Sequence, residues 1–334
     1  MRILIATVTA GGGHVQAGAA LEEAWRALRP RDTVKRVDVL DYTPAPYRRA
    51  YSRGYVKLIE HAPELYARYF RKSDDAGLMR KASFLRRGVA RVATRRFIGM
   101  VREFRPNAVL CPHFLPLESL GSVSHWNGKR PFIASVVTDF EAHAMWMEPC
   151  VDHTFVAMPD TKARLVARGI PEEKVSPLGI PVSQRFRAVP NRRGARAALG
   201  LRPTGPVLLV LGGGFGMGPV KEILERIHRV QRPIQVLVVA GKNVLLERDL
   251  KNLSHRHPTR VFGFVENMQD LMAAADLIVT KTGGTHHVRI PRPRAPDPRG
   301  GPHPRAGGRQ QRFPAGTRRR RQSQPAGRSP PSDR

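Results

Sequence analysis

The sequence predicts an α/β protein built from two Rossmann-like domains, whose parallel sheets face each other across a cleft. Three observations carry that expectation. Short apolar runs alternate with helix-length segments through most of the chain, the pattern of βαβ units. Two of the runs open directly into glycine turns, Gly11-Gly12-Gly13 and Gly212-Gly213-Gly214. Between the two series lies a stretch rich in Arg, Pro and Gly, the composition of a domain boundary.

Residues 2–6 read as a buried first strand. No basic flank precedes them and no small-residue cleavage site follows, so the run is not read as a secretory leader. Residues 34–39, 108–111, 132–138 and 154–157 continue the first series, and residues 207–211, 234–240, 261–264 and 277–280 form the second. These runs are apolar on both faces, as strands covered by helices on each side must be. The expected division is an N-terminal domain over 1–185, a linker over 186–206 with a helical insert at 193–199, a C-terminal domain over 207–284, and a tail over 285–334. No run approaches the ~20 apolar residues that span a bilayer. Cys111 and Cys150 alone make neither a disulfide framework nor a metal cluster, which fits a reducing cytosol.

The chain carries 57 Lys and Arg against 27 Asp and Glu, a formal net charge of +30. Such an excess points to an anionic partner: nucleic acid, anionic lipid or an acidic substrate. The tail holds 13 Arg, no Lys and two acids; its +11, taken from +30, leaves +19 on residues 1–284. Residues 42–105 are helical in pattern and mix aromatics with many cations. Within them, residues 78–97 set Leu78, Phe84, Leu85, Val89 and Val92 among seven Arg and Lys. A basic amphipathic helix of this kind suits an anionic membrane surface, and equally a helix packed on the first sheet with a solvated basic face.

Four places can carry chemistry. After the first strand, glycines leading into His14 let backbone approach a ligand, and a neutral imidazole there can take a proton from a hydroxyl or simply cap a helix. After the fourth strand, Thr138, Asp139, His143 and Trp146 fall within ten residues. Asp139 can support a base, and His143 and Trp146 can meet a head group or sugar; a capped helix start with Trp146 in the core is the competing reading. Asp139 and His143 share one helical turn, but no third metal ligand accompanies them. After the strand at 207–211, Gly212 to Gly218 offers amides to a diphosphate. No acidic residue closes the next strand and no Lys-Ser/Thr follows the glycines, which weakens dinucleotide-dependent oxidoreductase and P-loop readings. Finally, Gly263-Phe264-Val265 can hold a base, and Thr282-Gly283 end a strand where a donor phosphate would sit; by themselves both read more simply as ordinary βα turns.

GGGH at 11–14, CPHFLP at 111–116, VTDFEAHAMW at 137–146, FVAMPDTKARLVARGI at 155–170, GIPV at 179–182, LGGGFGMG at 211–218 and GFVENM at 263–268 occur in this order. In these motifs, residues 1–284 resemble the monogalactosyldiacylglycerol synthases and processive diacylglycerol glucosyltransferases. The resemblance implies a GT-B fold and an inverting transfer from a UDP-sugar to diacylglycerol or a glycolipid, with no metal and no cofactor beyond the UDP-sugar co-substrate. It also implies a peripheral place on the cytoplasmic face of the cell membrane, at an anionic surface, with no specific nucleic acid. By the same resemblance, His14 is the general base supported by Asp139. Gly12, Gly13, Thr138, His143 and Trp146 serve the acceptor. Gly213, Gly214, Phe215, Gly216, Thr282 and Gly283 meet the diphosphate, and Phe264 and Val265 the uracil.

After Gly284 the text departs from that family. Ten prolines and dense arginine in fifty residues exclude a packed core. Read one base out of phase, the tail permits strings such as DPIPGQE that resemble the family at this place, so a shifted reading frame is expected, with a donor domain left incomplete and activity reduced. A basic protein that binds RNA or anionic lipid through its tail is the alternative from another class; a soluble UDP-sugar epimerase or small-molecule transferase is the third.

Overall fold

The computed structural model describes residues 1–9, 12–51, 54, 74, 88–126, 128–214, 216 and 219–280. Two parallel sheets organise them. The first contains β1 (Arg2–Thr7), β2 (Thr33–Asp38), β3 (Ala108–Cys111), β4 (Phe132–Val136), β5 (His153–Phe155) and β6 (Val175–Ser176), in the order β2-β1-β3-β4-β5-β6. The second contains β7 (Val207–Leu211), β8 (Gln235–Val239), β9 (Thr259–Phe262) and β10 (Leu277–Thr280), in the order β10-β7-β8-β9. Every strand pair is parallel, so each connection crosses over.

The alternation of side chains along β1 explains why its residues 3–6 are all apolar. Leu4 and Ala6 face a core shared with Phe97, Val101, Val109, Leu117 and Trp146. Ile3 and Ile5 face the opposite layer, where Leu21 and Trp25 of α1 (Gly12–Leu28) pack. The first face is covered by α2 (Arg95–Phe104) and α3 (Phe114–Gly121). In the second sheet Leu209, Leu211, Leu237 and Val239 meet α5 (Arg192–Ala198) and α8 (Met268–Ala274), while Val210, Val236 and Val238 meet α6 (Val220–Ile227) and α7 (Val244–Asn252). Helix α4 (Pro159–Ala167) contributes Leu165 to the first core.

Three details depart from the sequence expectation. The pair β6 is an added strand; two residues are too few to show a period. Strand β9 sits two residues earlier than expected, ending at Phe262, so Phe264 falls in the following loop with 54% of its surface exposed. The helical insert expected at 193–199 is α5, which begins and ends one residue earlier and buries its Ala195 fully in the second core. Arg196 of α5 is itself buried. It donates to the Ala274 carbonyl at 3.1 Å, the Pro203 carbonyl at 2.9 Å and the Asp276 carboxylate at 2.6 Å, so all of its charge is answered within the second half.

Of the basic helix expected over 78–97, residues 88–97 are described. Ala90 and Phe97 are buried, whereas Val89 and Val92 are 52% and 78% exposed beside exposed Arg91 and Arg95. Leu78, Phe84 and Leu85, with Tyr55, Tyr66, Tyr69 and Phe70, lie outside the described residues, as does the tail. Among the described residues no helix is long and apolar enough to cross a membrane.

Candidate active site

In an open parallel sheet, ligands settle beyond the C-terminal strand ends where the strand order reverses direction. In the first sheet that point lies between β1 and β3, because β2 flanks β1 on the other side. In the second it lies between β7 and β10. The turn after β1 leads to Gly12, Gly13 and His14; the turn after β3 supplies Pro112 and His113; the turn after β7 is the glycine run. The topology therefore places both glycine turns and the Pro112–His113 turn at the switch points.

His14 is held from two sides. Its Nδ1 lies 2.9 Å from the Pro112 carbonyl oxygen and 2.8 Å from Thr138 Oγ1. A carbonyl oxygen only accepts, so Nδ1 carries the proton and donates it, with the threonine oxygen as a second acceptor. That tautomer leaves the lone pair on Nε2. Burial pulls the His14 pKa below the ordinary 6.5, against the opposing pull of the Asp139 charge and the Pro112 carbonyl. The ring meets His113 edge-to-face with centroids 4.6 Å apart. His113 is buried, its Nδ1 accepts the Leu115 amide at 3.0 Å, and burial followed by the His14 charge keeps its pKa well below the usual histidine value. The result is one neutral imidazole packed against another.

The second glycine turn is fixed by backbone geometry. Gly213 and Gly216 have φ of 76° and 64°, the left-handed region open to glycine, and the Gly216 amide closes the turn on the Gly213 carbonyl at 3.1 Å. Gly214 is exposed, and a β-carbon built on it would stand 3.9 Å from the Gly12 Cα. The two glycine turns thus confront one another, one from each sheet. A further tie joins the halves nearby: Ser183 donates to Glu23 of α1 at 2.7 Å, just before the chain enters the second half.

Not every expected residue reaches this place. Trp146 is 2% exposed and stands edge-on to Phe114, so its indole is core and has no open face for a lipid or sugar. His143 is 4% exposed; its Nδ1 accepts the Met145 amide at 3.1 Å, which makes it the cap of the short 3₁₀ turn Ala144–Trp146. Thr138 is buried against His14, and Asp139 is half-buried beside it. Val265 packs on the second core, while Phe264 stands exposed with the Lys242 ammonium 5.4 Å from its ring centroid. Phe215, Thr282 and Gly283 lie outside the described residues. Among the described residues no three His, Cys, Asp or Glu side chains converge as a metal site would require.

Sequence reasoning missed the contacts that hold the site's walls. Pro112 and His113 lie inside a motif that was recognised, yet their roles depend on the β1–β3 neighbourhood. Lys242, whose amide donates to the Gly214 carbonyl at 3.0 Å, comes from the turn after β8. Asp74 had no signal at all. Its carboxylate takes two bonds from Arg168, at 2.8 and 2.7 Å, and one from the Ala144 amide at 3.0 Å, with His143 Nε2 4.0 Å away. Partial burial works against the Asp74 charge, but the guanidinium and the amide outweigh it and hold its pKa below the ordinary 3.8. A depressed carboxylate stabilises the fold above its unfolded pKa, and that contribution is lost as pH falls through the folded value. Replacing Arg168 with methionine is expected to cost roughly 1 kcal/mol near neutral pH, a figure reduced for the solvent that reaches both partners. The difference from the parent should begin to shrink as pH falls below 3.8 and be lost only below the depressed folded value of Asp74; denaturant unfolding at pH 7 and at a series of acid pH values measures it.

Residues 14–182 match the family model described as monogalactosyldiacylglycerol (MGDG) synthase, and residues 207–286 match that of the glycosyltransferase family 28 C-terminal domain. A processive diacylglycerol beta-glucosyltransferase of Bacillus cereus (strain AH187) is 28% identical over 293 residues, covering 85% of this chain and 72% of the relative. Among solved structures, the calicheamicin glycosyltransferase CalG4 aligns over 86% of this chain and 76% of its own, at 14% identity and a TM-score of 0.49. MurG of Acinetobacter baumannii aligns over 86% and 75%, at 14% identity and a TM-score of 0.48.

Proposed function

Because the chain belongs to the monogalactosyldiacylglycerol synthase family, we propose that it moves a hexosyl group from a UDP-sugar to diacylglycerol or a glycolipid, with inversion at the sugar carbon. The single observation that carries this is the close approach of Gly12, two residues before His14 in its Nε2 lone-pair tautomer, to the exposed Gly214 of the second glycine turn. The acceptor hydroxyl gives its proton to Nε2 as its oxygen attacks the anomeric carbon. The bond from that carbon to the diphosphate oxygen breaks on the opposite face, and UDP leaves with the electron pair. The imidazolium so formed is steadied by the Asp139 charge. Glycine-turn amides and the Lys242 ammonium meet the charge that grows on the leaving diphosphate, work that needs neither a metal nor a further cofactor. Phe264, exposed and flat, serves the uracil. The acceptor enters from an anionic membrane on the cytoplasmic side, a reading supported by Val89 and Val92 standing exposed among arginines.

Residues 285–334 bear on how much of this activity survives. In our reading they replace donor contacts through a shifted frame, and the chain as written turns over UDP-sugar poorly. The test compares it with a chain in which one base near codon 285 is removed, using UDP-glucose, UDP-galactose and diacylglycerol in mixed anionic liposomes. Product should appear at least tenfold faster in the restored chain. No product from either chain would sink the transferase assignment. The +11 tail favours a second reading, a basic binding protein. RNA affinity that falls steeply with salt and disappears on deleting 285–334, without any UDP binding, would select it.

A further inference from the structure

At the edge of the first sheet opposite His14, where β1, β3 and β4 begin, lies an open cavity of about 690 Å³. Its volume is in the ordinary range for a small-molecule site, roughly 300–1,000 Å³. Five cations line it: Arg2, Arg102, Arg105, Lys129 and Arg130. Asp152 is the single carboxylate in the lining, and it is already engaged by Arg130 at 2.9 Å. The Arg102 guanidinium donates to the His125 carbonyl at 3.2 Å. The side-chain charges of Arg2, Arg105 and Lys129 face the opening with no acidic partner among the described residues.

Two further features set this cleft apart from a merely solvated basic face. One wall is apolar: Phe132, the first residue of β4, keeps 47% of its surface exposed, and Trp126 stands half-buried beside it. The other is the backbone at Arg105, which has φ of 48° and is the sole non-glycine residue at positive φ among those described. It ends α2, where glycine is the favoured residue, and an arginine there is strained. Strain of this kind gathers where a side chain serves a ligand.

We propose that this cleft binds a phosphate ester bearing an apolar or flat substituent, at a second site separate from the transfer reaction. Arg105, Lys129 and Arg2 grip the phosphate, and Trp126 and Phe132 receive the substituent. The same chemistry is offered by a nucleotide and by an anionic phospholipid head group, and the probes distinguish them. The experiment is titration calorimetry on the full chain with phenyl phosphate, inorganic phosphate, adenosine monophosphate and dihexanoyl phosphatidylglycerol. Phenyl phosphate should bind more tightly than inorganic phosphate, with an affinity that falls as salt is raised. The double variant Arg105→Gly, Lys129→Ala should bind at least tenfold more weakly while melting no earlier than the parent, because glycine suits the Arg105 backbone. A tighter adenosine monophosphate identifies a nucleotide site, and a tighter phosphatidylglycerol a lipid site; either supports the proposal. No heat from any ester, equal affinity for phenyl and inorganic phosphate, or binding unchanged in the double variant overturns it.

Discussion

Exchanging His14 for asparagine is expected to lower kcat by about 10²- to 10⁴-fold in the frame-restored chain, with little change in KM for the UDP-sugar. Asparagine keeps an amide that can donate to the Pro112 carbonyl, so the loop geometry survives while the base is lost. In the parent chain the reaction needs Nε2 unprotonated. Burial lowers the His14 pKa below 6.5, so activity should hold as pH falls to that value and decline only at lower pH. The acid limb of kcat/KM should therefore lie below pH 6.5 in the parent and be absent from the His14→Asn chain. Replacing Asp139 with asparagine removes the charge that favours the imidazolium and should move the limb lower still. A variant at His14 that retains full turnover, or an acid limb unmoved by its loss, would show that some other group accepts the proton.

The second large effect is on stability. Alanine at Gly216 is expected to cost about 3 kcal/mol or more: roughly 1–2 for a β-carbon in the left-handed region and the rest for steric overlap. The overlap is specific. A β-carbon at Gly216 would run into the Ala240 carbonyl oxygen, and one at Gly241, whose φ is also 64°, into the Gly213 carbonyl oxygen. Each turn after β7 and β8 thus occupies the space a side chain on the other would need, and neither can yield without moving a strand end. Alanine at Gly214 makes the informative contrast. That residue is exposed, and its added methyl would meet the Gly12 Cα at an ordinary contact distance of 3.9 Å. It should leave the denaturation midpoint nearly unchanged and weaken UDP-sugar use by narrowing the gap between the turns. Equal melting of the Gly216→Ala and parent chains would contradict this account of the turn.

Strands long enough to show two apolar faces were legible in the sequence, and so was their split into two series. Strand β1 announces itself because four consecutive residues, Ile3 to Ala6, are buried on both faces and none of them is polar. Strand β6, two residues paired only with β5, shows no pattern to read. The glycine turns were legible for a related reason: positive φ and close backbone approach leave few residues to choose from. The partners of the site were not. His14 finds Pro112 because β3 lies next to β1, and nothing within either segment states that adjacency. Trp146 and His143 misled because an indole and an imidazole near a strand end serve a core and a helix cap as readily as a ligand. Asp74 reaches Arg168 across ninety-four positions of chain, and one acidic residue in a basic stretch carries no mark of its destination.

The main-chain oxygen of Pro112 has one more implication. The tautomer of a histidine is set by the partner of its other ring nitrogen, a carboxylate in some proteins and a main-chain carbonyl in others; a carboxylate is a partner that a single codon change can delete. Here the orienting atom belongs to the peptide backbone, present whatever residue occupies position 112. Drift at that position can shift the imidazole by fractions of an ångström, but it cannot remove the acceptor. That hold on the ring is thereby insured against point mutation outside the histidine itself and the two strands that bring the oxygen to it, whereas the second partner, the Thr138 hydroxyl, has no such protection.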